Sequence, residues 1–288
     1  MKKISPLVNS LQYRAIKLRY SILNTISIAK YSSLIEKLDS APDFPSVAAS
    51  KKQLIEIMFE GSKRSLVELN RLCGVTPLKV VEYKTDKEGG DADELMKFKE
   101  RLKLLFDEYG SDKGSGHEYH HIYAEILWNR KNLRILEIGL GSNRLEIPSN
   151  MGIHGKPGAS LKAFQSLGDV KEIIGLDIDK EVLFSDGKIS TYQLDQVDRN
   201  SWRRVKQVIG NHGFDLIIDD GLHSPLANII TISECLEMLK VGGYLVTEDI
   251  PTRSLPVWEM YLHKLSDNLE AHMYKFRRAH LLQIKKIA

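Results

Sequence analysis

Residues 133–143 read LRILEIGLGSN, a short apolar and β-branched run that breaks into a glycine-containing turn. A run of that length bounded by glycine reads as a buried strand feeding a tight turn. Outward from it the same texture recurs. Strands are expected at Glu172 to Ile178, Ile189 to Leu194, Phe214 to Ile218 and Tyr244 to Val246. Pro225 to Lys240 reads as a helix that opens on proline and stops at Gly242-Gly243. Strands alternating with helices predict a mostly parallel, doubly wound α/β sheet of Rossmann-like type. Leu269 to Phe276 and Leu281 to Ile287 are expected as a closing hairpin at the sheet edge.

Ahead of this region the first hundred residues read as helical. Leu54, Ile55, Met58 and Phe59, then Leu66, Leu69 and Leu72, follow the three-to-four spacing of buried helix faces. Ser40 to Ser50 marks a linker, and the charged stretch Lys84 to Asp93 a loop. Asp91 with Glu94 then resembles a capping box opening a helix that stops near Gly110. The expected organisation is an N-terminal helical region over residues 1–92 and an α/β domain over residues 93–288.

Composition sets the outer bounds. With 288 residues, 42% hydrophobic and 27% charged, the chain is neither disordered, collagen-like nor a disulfide scaffold. No run approaches the roughly 18 apolar residues of a membrane span, and two cysteines make no framework, so a reducing cytoplasm is the expected home. The net charge of +3 does not point to nucleic acid. That charge is unevenly placed, because Lys2, Lys3, Arg14, Lys17, Arg19 and Lys30 precede the first acid, Glu36. Three readings stay open for that start: a packed helix with a solvated basic face, a transit peptide, or a surface for a membrane or anionic partner.

In an open parallel sheet, ligands bind beyond the carboxyl ends of the strands. Glu137, Gly139 and Gly141 stand at the first such end, Asp177 at the second, and Asp195-Gln196 at the third. As a dinucleotide fingerprint the turn fails, since Arg144 occupies the third glycine position and Asp177 comes too late. An acceptor for ribose hydroxyls at Asp177, one for an adenine edge at Asp195-Gln196 and one for an ammonium at Glu137 suit S-adenosylmethionine better than NAD. Asp179, Asp186 and Asp198 read as helix caps or solvated loop residues.

From Asp107 onward the sequence resembles the class I S-adenosylmethionine-dependent methyltransferases, and more narrowly the metal-dependent macrocin and mycinamicin type of sugar O-methyltransferase. The resemblance rests on YGSDKGSGHEYHHIY (109–123), EIGLGSN, HGKPGASLKAF (154–164), LDQVD, IIDDGLHS (217–224) and LVTEDI (245–250). It implies a divalent cation, Mg²⁺ by preference for hard oxygen ligands, held by Asp220, Glu248 and Asp249, where the family pattern has Asp in place of Glu248. It also implies His223 as general base, Asp219 beside the cofactor, and Ser111 and Lys113 near the cofactor's carboxylate. Assembly into a homo-oligomer through the N-terminal helices is implied as well. His117, His120 and His121 read as pocket lining or helix surface rather than a metal cluster, and Trp202, Trp258 and Tyr261 as packing.

The expectation is therefore a Mg²⁺-dependent O-methyltransferase acting on a hydroxyl of a sugar or glycosylated small molecule. Its rivals are a methyltransferase for another polar metabolite, such as a phosphorylated or amino-sugar acceptor, an NAD-dependent oxidoreductase or epimerase, and a non-catalytic protein recruiting an anionic partner through residues 1–33.

Overall fold

The computed structural model describes residues 63–83, 90–144, 146–147, 149–210 and 213–288. The basic start, the Ser40 to Ser50 linker and the helix expected around Leu54 to Phe59 lie outside these residues. The chain divides into two compact units, Met1–Gly74 and Val75–Ala288. In the first, residues 63–72 are helical. Leu69 and Leu72 on that helix are 52% and 72% exposed, against the burial that their spacing predicts, whereas Leu66 is part-buried. Periodicity reports an amphipathic helix and is silent on what covers it.

The second unit is built on one nine-stranded sheet. Its strands are β1 (Val80–Glu82), β2 (Leu133–Ile138), β3 (Val170–Asp177), β4 (Ser185–Asp186), β5 (Ile189–Gln193), β6 (Phe214–Asp219), β7 (Leu239–Ile250), β8 (Leu269–Lys275) and β9 (His280–Lys286). They lie in the order β1-β8-β9-β7-β6-β2-β3-β5-β4. The central strands β7, β6, β2, β3 and β5 pair in parallel, whereas β9 is antiparallel to both β7 and β8. Helices α1 (Gly90–Tyr109), α2 (His120–Leu127), α3 (Ala159–Leu167), α4 (Arg199–Ile209), α5 (Pro225–Cys235) and α6 (Leu255–His263) complete the unit.

The near-continuous apolar reading of the central strands follows from burial on both faces. In β6, Leu216 and Ile218 join the core that includes Phe106, Tyr123 and Phe164, while Ile217 joins the core around Trp202, Cys235 and Trp258. Trp202 and Trp258 are fully buried, in keeping with a packing role. Asp198 caps α4 by accepting from the Asn200 N–H, Asp179 accepts from Glu181, and Ser224 caps α5 ahead of Pro225.

Four boundaries differ from expectation. The sheet gains β1, which pairs in parallel with β8, so the hairpin is not the edge. Three residues are too few to show a period. Helix α1 begins at Gly90, before Asp91. Helix α5 ends at Cys235, and β7 starts at Leu239 and runs through Gly242-Gly243. There the pairing with β6 slips between Phe214 and Leu216, as glycines in a strand permit.

Phe164 on α3 meets Phe106 of α1 and Tyr123 of α2 edge to face, at centroid distances of 5.2 and 5.7 Å. Phe164→Ala should lower stability by about 3–5 kcal/mol in denaturant unfolding, against no more than about 0.5 kcal/mol for Val208→Ala, whose side chain is exposed. His120, buried at the start of α2 beside His121, has its pKa lowered to about 4, first by burial and then by its neighbour. The unfolded chain binds that proton more readily, so between about pH 6.5 and 4 acid costs the folded state stability. His120→Gln, which cannot charge, should lose less melting temperature than the natural chain over that window.

Candidate active site

The turn after β2 is held in a shape that requires glycine. Gly139 has φ +92°, and a Cβ there would stand 2.1 Å from the Asp220 carbonyl oxygen. Gly139 N–H donates to Leu176 O at 2.8 Å, and Asp220 N–H to Ile138 O at 2.9 Å, which ties the tips of β2, β3 and β6 together. Asp177 braces the turn, its carboxylate accepting from the Leu140 N–H at 2.7 Å and the Asp179 N–H at 2.8 Å.

Two clefts flank this turn. Gly139, Gly141, Asp177, Asp195, Ile178 and Val197 line the first, with the latter two apolar side chains exposed. Ser111, Lys113, Glu137, Asp220, His223 and Asp249 line the second, which shares Gly139, Gly141 and Asp220 with the first. Expected residues therefore converge on one edge of the sheet, from β2, β3, β6, β7 and two loops.

Four of the expected residues are bound by internal partners. Gln196 borders the first cleft, yet its amide is spent internally: Nε2 donates to Asp219 at 2.6 Å and Thr231 at 2.7 Å, and Oε1 accepts from the Leu222 N–H. It is not free to read an adenine edge. Asp219 is fully buried, lines neither cleft, and accepts from Gln196 and Asn228. Those bonds tie the end of β6, just ahead of Asp220, to Gln196 and to α5. Lys113 is 1% exposed and lies among acids rather than reaching out for a carboxylate. Glu248 is also 1% exposed, with one oxygen 2.9 Å from Lys113 Nζ and the other accepting from the Tyr123 hydroxyl. Both of its oxygens are thus engaged by side chains of the 109–123 segment, and it shares the Lys113 ammonium with Asp220.

Asp220, His223 and Asp249 do come together, with one donor atom from each lying within 4.8 Å of the others. His223 Nε2 stands 3.9 Å from Asp220 Oδ1. His223 and Asp249 both have φ of +52°, a left-handed backbone uncommon outside glycine. Burial alone would raise the Asp249 carboxyl, but the His117 imidazole and the Tyr119 hydroxyl outweigh it and hold the group well below the carboxylate range. The Tyr119 hydroxyl donates to Asp249 Oδ1 at 2.6 Å, and His117 Nδ1 lies 3.2 Å from the same oxygen. Around Lys113, burial works against the ammonium, while Asp220, Glu248 and Glu137 together raise its pKa well above the ordinary value. Burial raises Glu137 and Asp220. Glu137 accepts from Ser160 at 2.8 Å, and its second oxygen is buried without a hydrogen-bond partner.

Sequence reasoning missed Tyr119 and Tyr123 as partners of the acids. Both sit in the quoted 109–123 segment, but an aromatic residue at helical spacing looks like packing until its hydroxyl is placed.

No family model matches the chain. Among curated proteins it is similar to the 8-demethyl-8-alpha-L-rhamnosyl tetracenomycin-C 2'-O-methyltransferase of Streptomyces olivaceus, 27% identical over 52% of this chain and 38% of that enzyme. It is likewise similar to that organism's 8-demethyl-8-(2-methoxy-alpha-L-rhamnosyl)-tetracenomycin-C 3'-O-methyltransferase, 30% identical over 48% of this chain and 32% of the relative. The mycinamicin VI 2''-O-methyltransferase of Micromonospora griseorubida is 30% identical over 45% and 30%. The match thus spans only about a third of each relative. Among solved structures, MycE methyltransferase from the mycinamycin biosynthetic pathway, in complex with Mg and SAH, superposes with a TM-score of 0.50 and 22% identity over 65% of this chain and 54% of that one. Its complex with Mg, SAH and mycinamycin VI gives 0.50 at 23% identity, over the same shares. The topology and this likeness together make the α/β part of the chain a Rossmann-like methyltransferase fold.

Proposed function

We propose that the chain is an S-adenosylmethionine-dependent, divalent-metal-assisted O-methyltransferase that methylates a hydroxyl of a sugar or glycosylated small molecule, with His223 as general base. The observation that carries the proposal is the convergence of Asp220, His223 and Asp249 in a cleft that shares its wall with the glycine turn. The names of the curated relatives, all O-methyltransferases and two of them of rhamnosylated tetracenomycins, support the acceptor class.

The first cleft suits an adenosine. Asp177 and Asp195 can accept from hydroxyl and amino groups, and the exposed apolar faces of Ile178 and Val197 offer a surface for a flat ring. The second cleft suits the amino-acid end, with the unpartnered Glu137 oxygen buried in its wall as an acceptor for an ammonium.

The donor set fits a hard divalent ion. Asp220 and Asp249 supply carboxylate oxygens, half-buried in the cleft, while the oxygens of Glu248 bind Lys113 and Tyr123. When bound there, such an ion would lower the pKa of an acceptor hydroxyl and so ready it as a nucleophile. His223, on the turn that Asp219 and Gln196 brace, takes the hydroxyl proton as the oxygen attacks the methyl carbon and the carbon–sulfur bond breaks. Tyr119 and His117 keep Asp249 ionised and fixed, and the buried floor of the cleft excludes water behind it.

A cytoplasmic setting and assembly through residues 1–92 form part of the proposal. The first is supported by two unpaired cysteines, Cys73 and Cys235, the second by the sequence resemblance. None of the described helices is long and apolar enough to cross a membrane.

Labelled-methyl transfer from S-adenosylmethionine across a panel of glycosides and nucleotide sugars tests the reading directly. His223→Ala should reduce kcat by about 10²–10⁴-fold, with S-adenosylhomocysteine affinity, measured by calorimetry, changed less than about twofold. Chelation should abolish turnover and added Mg²⁺ restore it; full turnover in chelator would remove the metal from the mechanism.

A further inference from the structure

Lys113 is an interior ammonium placed among strand tips that are far apart in sequence. Its Nζ lies 2.5 Å from Asp220 Oδ2, 2.9 Å from Glu248 Oε2 and 3.4 Å from Glu137 Oε1. The loop that carries it is built to hold it inward. Lys113 O accepts from the His120 N–H at 2.9 Å, and Ser115 binds Asp107 through both its N–H and its hydroxyl. Gly114 packs so tightly on Asp107 that a Cβ would come within 2.3 Å of its carboxylate.

The three acids expected to hold the metal are therefore not equivalent. Glu248 is turned into the floor, bound by Lys113 and Tyr123. Asp220 gives one oxygen to Lys113 and has the other 3.9 Å from His223. Asp249, the neighbour of Glu248 on β7, has a left-handed backbone at a break in the strand's register and joins the Asp220–His223 group. A divalent ion seated deep between all three acids would face the Lys113 ammonium at contact distance, in surroundings that screen charge poorly.

We propose that Lys113 is the resident cation of this centre: it withholds Glu248 and one Asp220 oxygen from the metal, confines the ion to the cleft side of Asp220 and Asp249, and weakens its binding. This rests on the metal-assisted reading above. Lys113 is a positioning residue in this role, acting through the acids it holds. Its consequence for the reaction is that Asp220 and Asp249 would hold the ion through their cleft-facing oxygens, on the side where an acceptor hydroxyl enters.

The test is Mn²⁺ binding to the full chain, followed by electron paramagnetic resonance without substrate or turnover. Lys113→Met, which keeps length and removes charge, should bind Mn²⁺ about tenfold or more tightly, because Glu248 is released to coordinate. That gain should vanish in the Lys113→Met, Glu248→Gln double variant. With Lys113 in place, Glu248→Gln should change Mn²⁺ affinity less than about twofold, while Asp249→Asn should lower it about tenfold or more. A merely structural lysine gives the opposite sign, since its loss would loosen the site. Unchanged or weaker binding by a folded Lys113→Met protein overturns the proposal, as does a tenfold loss from Glu248→Gln alone. If Lys113→Met does not fold, the comparison of Glu248→Gln with Asp249→Asn decides. A natural chain that binds Mn²⁺ and transfers methyl groups, paired with a variant that gains nothing, overturns this inference alone. Absence of binding in every protein, Lys113→Met included, removes the metal reading together with it, whereas binding by Lys113→Met only would uphold Lys113 as the occupant of the site.

Discussion

Crowding of negative charge at one edge of the sheet is the constraint to which the rest of the molecule answers. Because β7, β6 and β2 are neighbours and parallel, their carboxyl ends coincide. Glu137, Asp219, Asp220, Glu248 and Asp249 arrive there together. Like charges so close in a poorly solvated place cannot all stay ionised unless each finds a compensating partner. The structure supplies a different one in each case. Ser160 binds Glu137, the amides of Gln196 and Asn228 bind Asp219, Tyr119 and His117 attend Asp249, and Tyr123 with Lys113 attends Glu248. Lys113 binds Asp220 as well, and Asp220 and Asp249 stay partly exposed, with the His223 imidazole beside them.

Most of that compensation comes from outside the sheet. The segment from Ser111 through Tyr123 contributes Lys113, His117, Tyr119 and Tyr123, one charge or donor after another along a loop and the start of α2. The sheet alone would be an acidic edge without a centre. The loop converts it into a cleft with a defined floor, and the core contacts of α2 with Phe106 and Phe164 fix the loop in turn. Packing on one face of the sheet thereby sets electrostatics at its edge.

The division between what could and could not be read in advance follows the same lines. Strand β2 and its glycine turn stand where LRILEIGLGSN put them, because burial on both faces leaves a contiguous apolar run, and a φ of +92° leaves room only for glycine. The mostly parallel, doubly wound sheet was legible from alternation; its strand order was not, nor was β1, which is three residues long. At the site, chain order located every acid but not its direction. Glu248 and Asp249 are adjacent letters whose side chains leave the strand differently, one into the floor and one into the cleft. Nothing in YQLDQVD reveals that Gln196 turns inward to bind Asp219 and Leu222, since those partners come from β6 and the turn after it.

The left-handed backbone at His223 and Asp249 bears on how such a site can change. Outside glycine, the residues that tolerate this conformation best are asparagine, aspartate and histidine, the short polar side chains that can satisfy a nearby backbone. The chemistry proposed for both positions asks for members of that same small set. Backbone and function therefore prune substitutions in concert, and a β-branched or bulky replacement would be resisted twice over. A change at either position would thus have to satisfy the backbone and the cleft at once, a demand that the surrounding loops do not share.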